Sequence, residues 1–287
     1  MAPRLFSRQA LCALCAILLI GVSAGCRSAA PAPREGIETL DALVWFQTAE
    51  ENRQLQRSVF AAATRALAAA LADPSWRALD QDPEAVALPP AVIVDVDETM
   101  LDNSPFEVER LRSGAEFTEE GWAIWVERAE ARPIPGAVEF VRFAEERGVT
   151  IFYVTNRDAE FEEATRRNLV EAGFSLSEQT DVVLLRGERS DWSSDKQGRR
   201  DLVAASHRVL LVLGDDLGDF LSGVRDATVE ERERIAAAHA ERFGTQWFVL
   251  PNPLYGSWER AIDAGGGPHL DRLRRLERRL ALLRGYE

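Results

Sequence analysis

The sequence predicts an α/β fold: a doubly wound, mostly parallel sheet with a small helical cap and an N-terminal helical extension. Three observations point there. Short apolar runs rich in β-branched residues alternate with stretches of helical periodicity, as βαβ units require. Several runs end in polar residues, Asp95 and Asp97, Thr155, then Asp215 and Asp219, at the strand ends where such sheets bind ligands. The 287 residues suit one large domain or two small ones, with ample length for a core.

Taken in order, the chain opens on an address. Arg4 and Arg8 precede an apolar stretch over residues 10–22, short for a membrane span, and Ser23-Ala24-Gly25 lead into Cys26. The pattern resembles a bacterial lipoprotein signal over residues 1–25, with Ser23 where an aliphatic residue is usual. A plain secretory signal cut nearby is the alternative. The lipoprotein reading implies lipidation of Cys26 and a chain lipid-anchored in the bacterial cell envelope, at the outer membrane, facing the periplasm or the surface. Cys12 and Cys15 fall in the removed segment, so the mature chain has no internal disulfide. Residues 26–36, with Ala-Pro-Ala-Pro, read as a stiff tether.

Residues 37–266 form the main domain. Leu40, Leu43, Val44 and Gln47, then Leu55, Val59 and Ala62, recur at helical spacing, which predicts one long helix or two over 39–72 with Trp45 and Phe46 in the core. Asp73-Pro74 ends that run, and Pro89-Pro90 introduce a buried strand over 91–94. Residues 103–132 hold the cap, including a helix N-capped by Thr118. Helices follow over 137–147 and 160–172, closed by Gly148 and Gly173, and over 229–243. Strands are expected over 149–154, 181–185, 208–213 and 246–250, with Lys196 in a loop before a helix ending near Ser206. Residues 267–287 read as an Arg-rich amphipathic helix, compatible with an oligomer.

Composition excludes several chemistries. A formal charge of -13, about -15 once Arg4 and Arg8 are removed, argues against unspecific affinity for nucleic acid polymers or anionic lipid. His207, His239 and His269 lie apart from one another and from Cys or acidic clusters, so a histidine zinc site is not expected. No Ser-His-Asp arrangement or phosphate-binding Gly-x-x-x-x-Gly-Lys loop is present. Asp95 and Asp97 stand one residue apart after a strand, where an extended backbone points both the same way. Two such anions call for positive charge, and a hard divalent cation with oxygen ligands supplies it. A polar turn alone would explain Asp-x-Asp, but polar groups at three strand ends are harder to explain so. Lys196 is the single lysine among 34 basic residues, and it falls between two of those strand ends.

The order Asp95-x-Asp97-x-Thr99, Thr155, Lys196 and Gly214-Asp215-Asp216-x-x-Asp219 resembles the haloacid dehalogenase (HAD) superfamily of phosphohydrolases. Asp95-Val-Asp-Glu-Thr-Met-Leu-Asp-Asn-Ser-Pro105, Tyr153-Val-Thr-Asn-Arg157 and Leu250-Pro-Asn-Pro-Leu-Tyr255-Gly-Ser-Trp-Glu259 look closer still to the class C acid phosphatases. These are bacterial surface lipoproteins of the lipoprotein e type, many acting as 5′-nucleotidases. The resemblance covers about residues 37–262 and implies a HAD-like fold. It implies Mg²⁺-dependent hydrolysis of small phosphate esters, nucleoside or nicotinamide monophosphates, through an aspartyl-phosphate. Asp95 would be the nucleophile and Asp97 the proton donor and acceptor. Asp95, Asp215 and the backbone carbonyl of Asp97 would ligate Mg²⁺, with Asp219 orienting a metal-bound water or Lys196. Thr155 and Lys196 would meet the phosphoryl oxygens.

Phe106, Trp122, Asn156, Arg157 and Tyr255 form the expected substrate-binding set. Trp122 and Tyr255 are the better candidates for stacking on a ring, while Trp125 and Trp258 are assigned to packing. Asn103, Asn156 and Arg157 are expected to hold the rim loops, and Arg199 and Arg200 are weaker candidates than Lys196. Two departures from the family pattern stand out. Thr155 replaces the usual Ser and keeps the hydroxyl; Asp216 replaces the usual Asn and is expected to alter metal affinity or pH optimum. The alternative functions are a phosphotransferase of the same superfamily and a non-catalytic ligand-binding surface lipoprotein.

Overall fold

A computed structural model describes residues 37–263 and 272–285; the leader, Cys26 and the tether lie outside the described residues. Two helices begin it, α1 (Leu40–Thr48) and α2 (Glu50–Ala72). Ala49 between them is extended, with φ -74° and ψ 125°, and Asn52 donates back to the Phe46 carbonyl at 2.7 Å. Leu43 and Phe46, three residues apart, face inward together. Trp45, expected in the core, is therefore turned outward and is 38% exposed.

The central strand β1 (Pro90–Val94) is followed by the short β2 (Leu101–Asp102) and the cap helices α3 (Ser104–Ser113) and α4 (Glu119–Arg128). Pro105 sits in the first turn of α3, and Thr118 caps α4 by accepting from the Gly121 N–H at 3.1 Å. The strand β3 (Arg132–Pro133) pairs antiparallel with β2 and closes the base of this insert. Then come α5 (Ala137–Glu145), β4 (Thr150–Asp158), α6 (Glu162–Glu171), β5 (Val183–Arg186), α7 (Gln197–Ser206) and β6 (Arg208–Gly214). The series ends with α8 (Val229–Ala237), β7 (Trp247–Val249), α9 (Ser257–Asp263) and α10 (Arg272–Leu282). Phe60, Ala63 and Leu67 of α2 are buried, and the Phe60 ring meets Phe140 of α5 at 5.8 Å. The long N-terminal helix thus packs on the body, while α1 reaches the cap through Gln47, which donates to Ser104 Oγ at 2.9 Å. Among the described residues no helix is long and apolar enough to cross a membrane.

The sheet order is β5-β4-β1-β6-β7, with every neighbouring pair parallel. The chain moves outward from β1 to β4 and β5, then crosses over to β6 and β7. The order therefore reverses between β1 and β6, a topological switch that opens a crevice at their carboxyl ends. Residues 91–94 are all buried, as a strand covered on both faces demands, so their sequence is continuously apolar rather than alternating.

Two boundaries differ from expectation. The strand β4 runs beyond residue 154 to Asp158, because Asp158 pairs in register with Arg186 and accepts two hydrogen bonds from its guanidinium, each 2.6 Å. The helix α8 stops at Ala237 rather than near 243. Beyond it the hydrogen bonds tighten to a three-residue spacing, His239 N to Ala236 O and Arg242 N to His239 O at 3.0 Å each. That coil brings the Phe243 ring onto Trp247 at 5.3 Å.

Candidate active site

Asp95 leaves β1 with its N–H bonded to the Leu213 carbonyl of β6 at 2.9 Å, which fixes it at the switch. The chain then turns sharply, as Met100 and Leu101 both donate to the Val96 carbonyl, at 2.9 and 2.8 Å. Within that turn Glu98 takes φ 57°, a left-handed conformation costly for a side chain with a Cβ. The Glu98 carboxyl is buried and accepts the Asn103 N–H at 2.7 Å. Burial first, then the charges of Asp97 and Asp215, push it well above the usual carboxylate range. The turn also separates the partners of Asp95 and Asp97: they line one cavity, but each carboxylate meets its own cation.

On the Asp95 side, Lys196 Nζ donates to Asp95 Oδ1 and, at 2.7 Å, to Asp219 Oδ1. Lys196 is buried in the loop at the N-terminal boundary of α7, and the carboxylate pair outweighs burial in keeping it charged. Asp219 folds back against the end of β6, where a Cβ on Gly214 would lie 2.2 Å from its Oδ2. Only glycine permits that approach. Asp215 accepts from Thr99 Oγ1 at 3.0 Å and from Asn252 Nδ2 at 2.8 Å. Carboxylate oxygens of Asp95, Asp215 and Asp219 lie within 4.8 Å of one another. Burial, then neighbouring carboxylates, pushes Asp215 well up; burial likewise lifts Asp219 to about 7 against the opposing pull of Lys196. Three carboxylates facing one ammonium leave an excess of negative charge, and an all-oxygen donor set of this kind suits a hard divalent cation.

Asp97 is held from the other side. Arg157 Nε and one terminal nitrogen donate to its Oδ1 at 3.0 and 2.8 Å, and Asn103 Nδ2 adds a third bond at 2.8 Å. Among the described residues its Oδ2 meets only the Thr155 hydroxyl, at 3.4 Å. Trp125 is a brace here, donating its indole N–H to Asn103 Oδ1 at 2.8 Å. Thr155 is fully buried and does not line the cavity; its hydroxyl also accepts the Arg157 N–H at 3.1 Å. Arg199 is buried and donates to the Thr155 carbonyl and, at 2.8 Å, to Asn156 Oδ1. Asn156 in turn donates to the Ser194 carbonyl at 3.0 Å, tying the end of β4 to the loop before Lys196.

The cavity above these groups measures about 790 Å³ and is also lined by Phe106, Trp122, Asn156, Arg157 and Tyr255. Phe106 and Trp122 pack edge to face at 5.3 Å, and the Arg157 guanidinium sits 5.7 Å from the Trp122 ring. Sequence reasoning had not assigned Thr99 or Asn252 as partners of Asp215. Asn252 carried a signal nonetheless, a polar residue between two prolines at the end of a strand.

The model of the acid phosphatases of HAD subfamily IIIB matches residues 29–258. The chain belongs to that family. Among solved structures, this acid phosphatase family member is similar to the class C acid phosphatase from Bacillus anthracis, crystallised with tungstate bound. They share 29% identity and a TM-score of 0.75, over 87% of this chain and 98% of that one. Acid phosphatase 1 from Solanum lycopersicum is 29% identical over 176 residues, 57% of either protein. The stem 31 kDa glycoprotein of Glycine max is 25% identical over 166 residues, 57% of this chain and 58% of that one. The chain thus spans a little more than half the length of these curated relatives. HAD phosphatases generally use a divalent metal, and Asp95, Asp215 and Asp219 are the residues that fit one here.

Proposed function

We propose that this chain hydrolyses small phosphate monoesters with Mg²⁺, using Asp95 as nucleophile and Asp97 to carry the proton. The class of reaction rests on family membership. The observation that carries the assignment is the convergence of Asp95, Asp215, Asp219 and Lys196 at the sheet switch, with Asp97 opening on the same cavity. Tungstate, bound by the Bacillus anthracis relative, is a tetrahedral oxyanion like phosphate and supports a phosphoryl pocket here.

A phosphate dianion approaching three carboxylates must be screened. Lys196 provides one positive charge, and Mg²⁺ held by Asp95, Asp215 and the Asp97 carbonyl, with Asp219 in support, would polarise a phosphate oxygen and offset the remaining repulsion. A carboxylate oxygen of Asp95 bonds to phosphorus as the ester P–O bond breaks. The electron pair stays on the leaving oxygen, which takes a proton from the Asp97 carboxyl. Asp97, now a carboxylate, takes a proton from the water that attacks phosphorus. The bond to Asp95 breaks, phosphate departs and both aspartates are restored. Three hydrogen bonds anchor Asp97 Oδ1, leaving Oδ2 as the oxygen available for this transfer. Arg157 and Asn103 thus act as positioning residues, and the aromatic lining favours esters bearing a flat ring, such as nucleoside or nicotinamide monophosphates.

The test is release of nitrophenol from p-nitrophenyl phosphate by the purified protein. Activity should vanish with chelator, return with Mg²⁺, and fall at least about a thousandfold in Asp95→Asn. Undiminished turnover in that variant would remove Asp95 from the chemistry. The leader further supports export and acylation at Cys26. Cys26→Ser should then move the protein from the membrane fraction to the soluble one, and unchanged partition would dispose of the anchor.

A further inference from the structure

Among the described residues six cationic side chains line the cavity. Five have a carboxylate partner: Arg110 with Glu107 at 2.8 Å, Arg157 with Asp97 at 2.8 Å, Arg186 with Asp158 at 2.6 Å, Lys196 with Asp219 at 2.7 Å and Arg260 with Asp226 at 3.4 Å. The sixth, Arg225, has no hydrogen bond or ion pair for its guanidinium among the described residues. It is half-buried, and burial followed by the charge of Arg260 pushes it below the ordinary arginine value against the weaker pull of Asp226 and Asp216. Asp226 and Asp216 act on it through space, but among the described residues neither hydrogen-bonds nor ion-pairs with it, so its donors stay open to an anion. Its backbone is also well anchored. The preceding Val224 is buried and its carbonyl accepts from Arg232 at 2.7 Å. Arg232 donates to Ser257 Oγ at 2.6 Å, and Ser257 in turn bonds Asp216 at 2.6 Å, next to Asp215. Arg225 is therefore held on the framework that carries the reacting carboxylates.

We propose that Arg225, assisted by Arg260, binds a second anionic group of the substrate, a phosphate or carboxylate remote from the ester being cleaved. This rests on the phosphatase reading and adds a preference for doubly anionic esters. The cavity supports it, because a volume near 790 Å³ exceeds what a lone phosphoryl group fills and both Asp95 and Arg225 line it. A planar guanidinium offering paired donors is also the side chain best matched to such a group.

The experiment compares kcat/KM for adenosine 5′-phosphate and adenosine 3′,5′-bisphosphate, following release of the 5′-phosphate. Wild type should prefer the bisphosphate. Arg225→Gln should cut that preference about tenfold, through KM with kcat kept, and Arg225→Lys should retain part of it. Equal preference in wild type and Arg225→Gln, or no preference in wild type, overturns the subsite while leaving the phosphatase intact. If wild type hydrolyses p-nitrophenyl phosphate but neither nucleotide, the subsite is overturned alone; if it hydrolyses none of the three, the phosphatase reading falls and the subsite with it.

Discussion

Asp215 and Asp216 are adjacent in sequence and engage different partners. Asp215 joins the carboxylates at the switch. Asp216 accepts the Ser257 N–H and hydroxyl at 2.6 Å each and the Gly218 N–H at 2.8 Å. Burial alone would raise Asp216, but the bonds from Ser257 and Gly218 hold it below the usual carboxylate range. The charge that replaces Asn is thus engaged in joining two loops, while it also adds to the forces that raise Asp219, and the Asp216 N–H donates to Asp219 Oδ2 at 2.9 Å. In Asp216→Asn a single oxygen must serve those donors, and the amide N–H faces another N–H. Losing one charge-assisted bond costs about 1–3 kcal/mol. The variant should unfold at lower urea concentration while its Mg²⁺ half-saturation and its turnover of a small aryl phosphate stay within about threefold of wild type. An unaltered urea midpoint with shifted Mg²⁺ dependence would return Asp216 to the metal site. None of this was legible in sequence, because Ser257 lies 41 residues away and only folding brings it to Asp216.

At the scale of elements, the legible parts were those fixed by local pattern. The run at 91–94 is apolar on both faces and so could be placed in the middle of the sheet; Gly214 and its acidic neighbours marked the end of β6. Thr118 and Gly173 announced a helix start and a helix end, and Gly173 takes φ 97° as a closing residue should. The illegible parts depend on partners in other elements. Thr155 is expected at a strand end and Asn156 and Arg157 on a rim loop, yet all three continue β4 because Arg186 of β5 meets Asp158. Lys196 stands in the loop just before α7, as expected, but its burial could not be read, because it comes from two carboxylates 101 and 23 residues away. Arg157 is expected from sequence to bind substrate and hold a rim loop; its two bonds to Asp97 Oδ1 instead fix which carboxylate oxygen stays available. Arginine is so common in this chain that its composition hid the buried positions of Arg157, Arg199 and Arg200.

For the molecule as a whole, the gathered carboxylates set stability against function. Asp95, Asp215 and Asp219 repel one another in a buried site, and the single ammonium of Lys196 offsets only part of that repulsion. A cation that binds the folded chain and not the unfolded one must raise stability by mass action, about 2.7 kcal/mol at a hundred times its Kd. For a domain of this size each kcal/mol moves the midpoint by about 2–4 °C, so saturating Mg²⁺ should raise Tm by roughly 5–10 °C over chelator. Asp215→Asn separates the two sides of this balance. Its amide can donate to Thr99 and accept from Asn252, so the fold keeps its hydrogen bonds while one negative charge disappears. The variant should therefore melt above the metal-free wild type and show little or no response to Mg²⁺, which calorimetry with and without chelator measures directly. If Asp215→Asn gained the same increment from Mg²⁺ as wild type, the cation would have to bind elsewhere, and the stability gap between the metal-free proteins would report the carboxylate repulsion by itself.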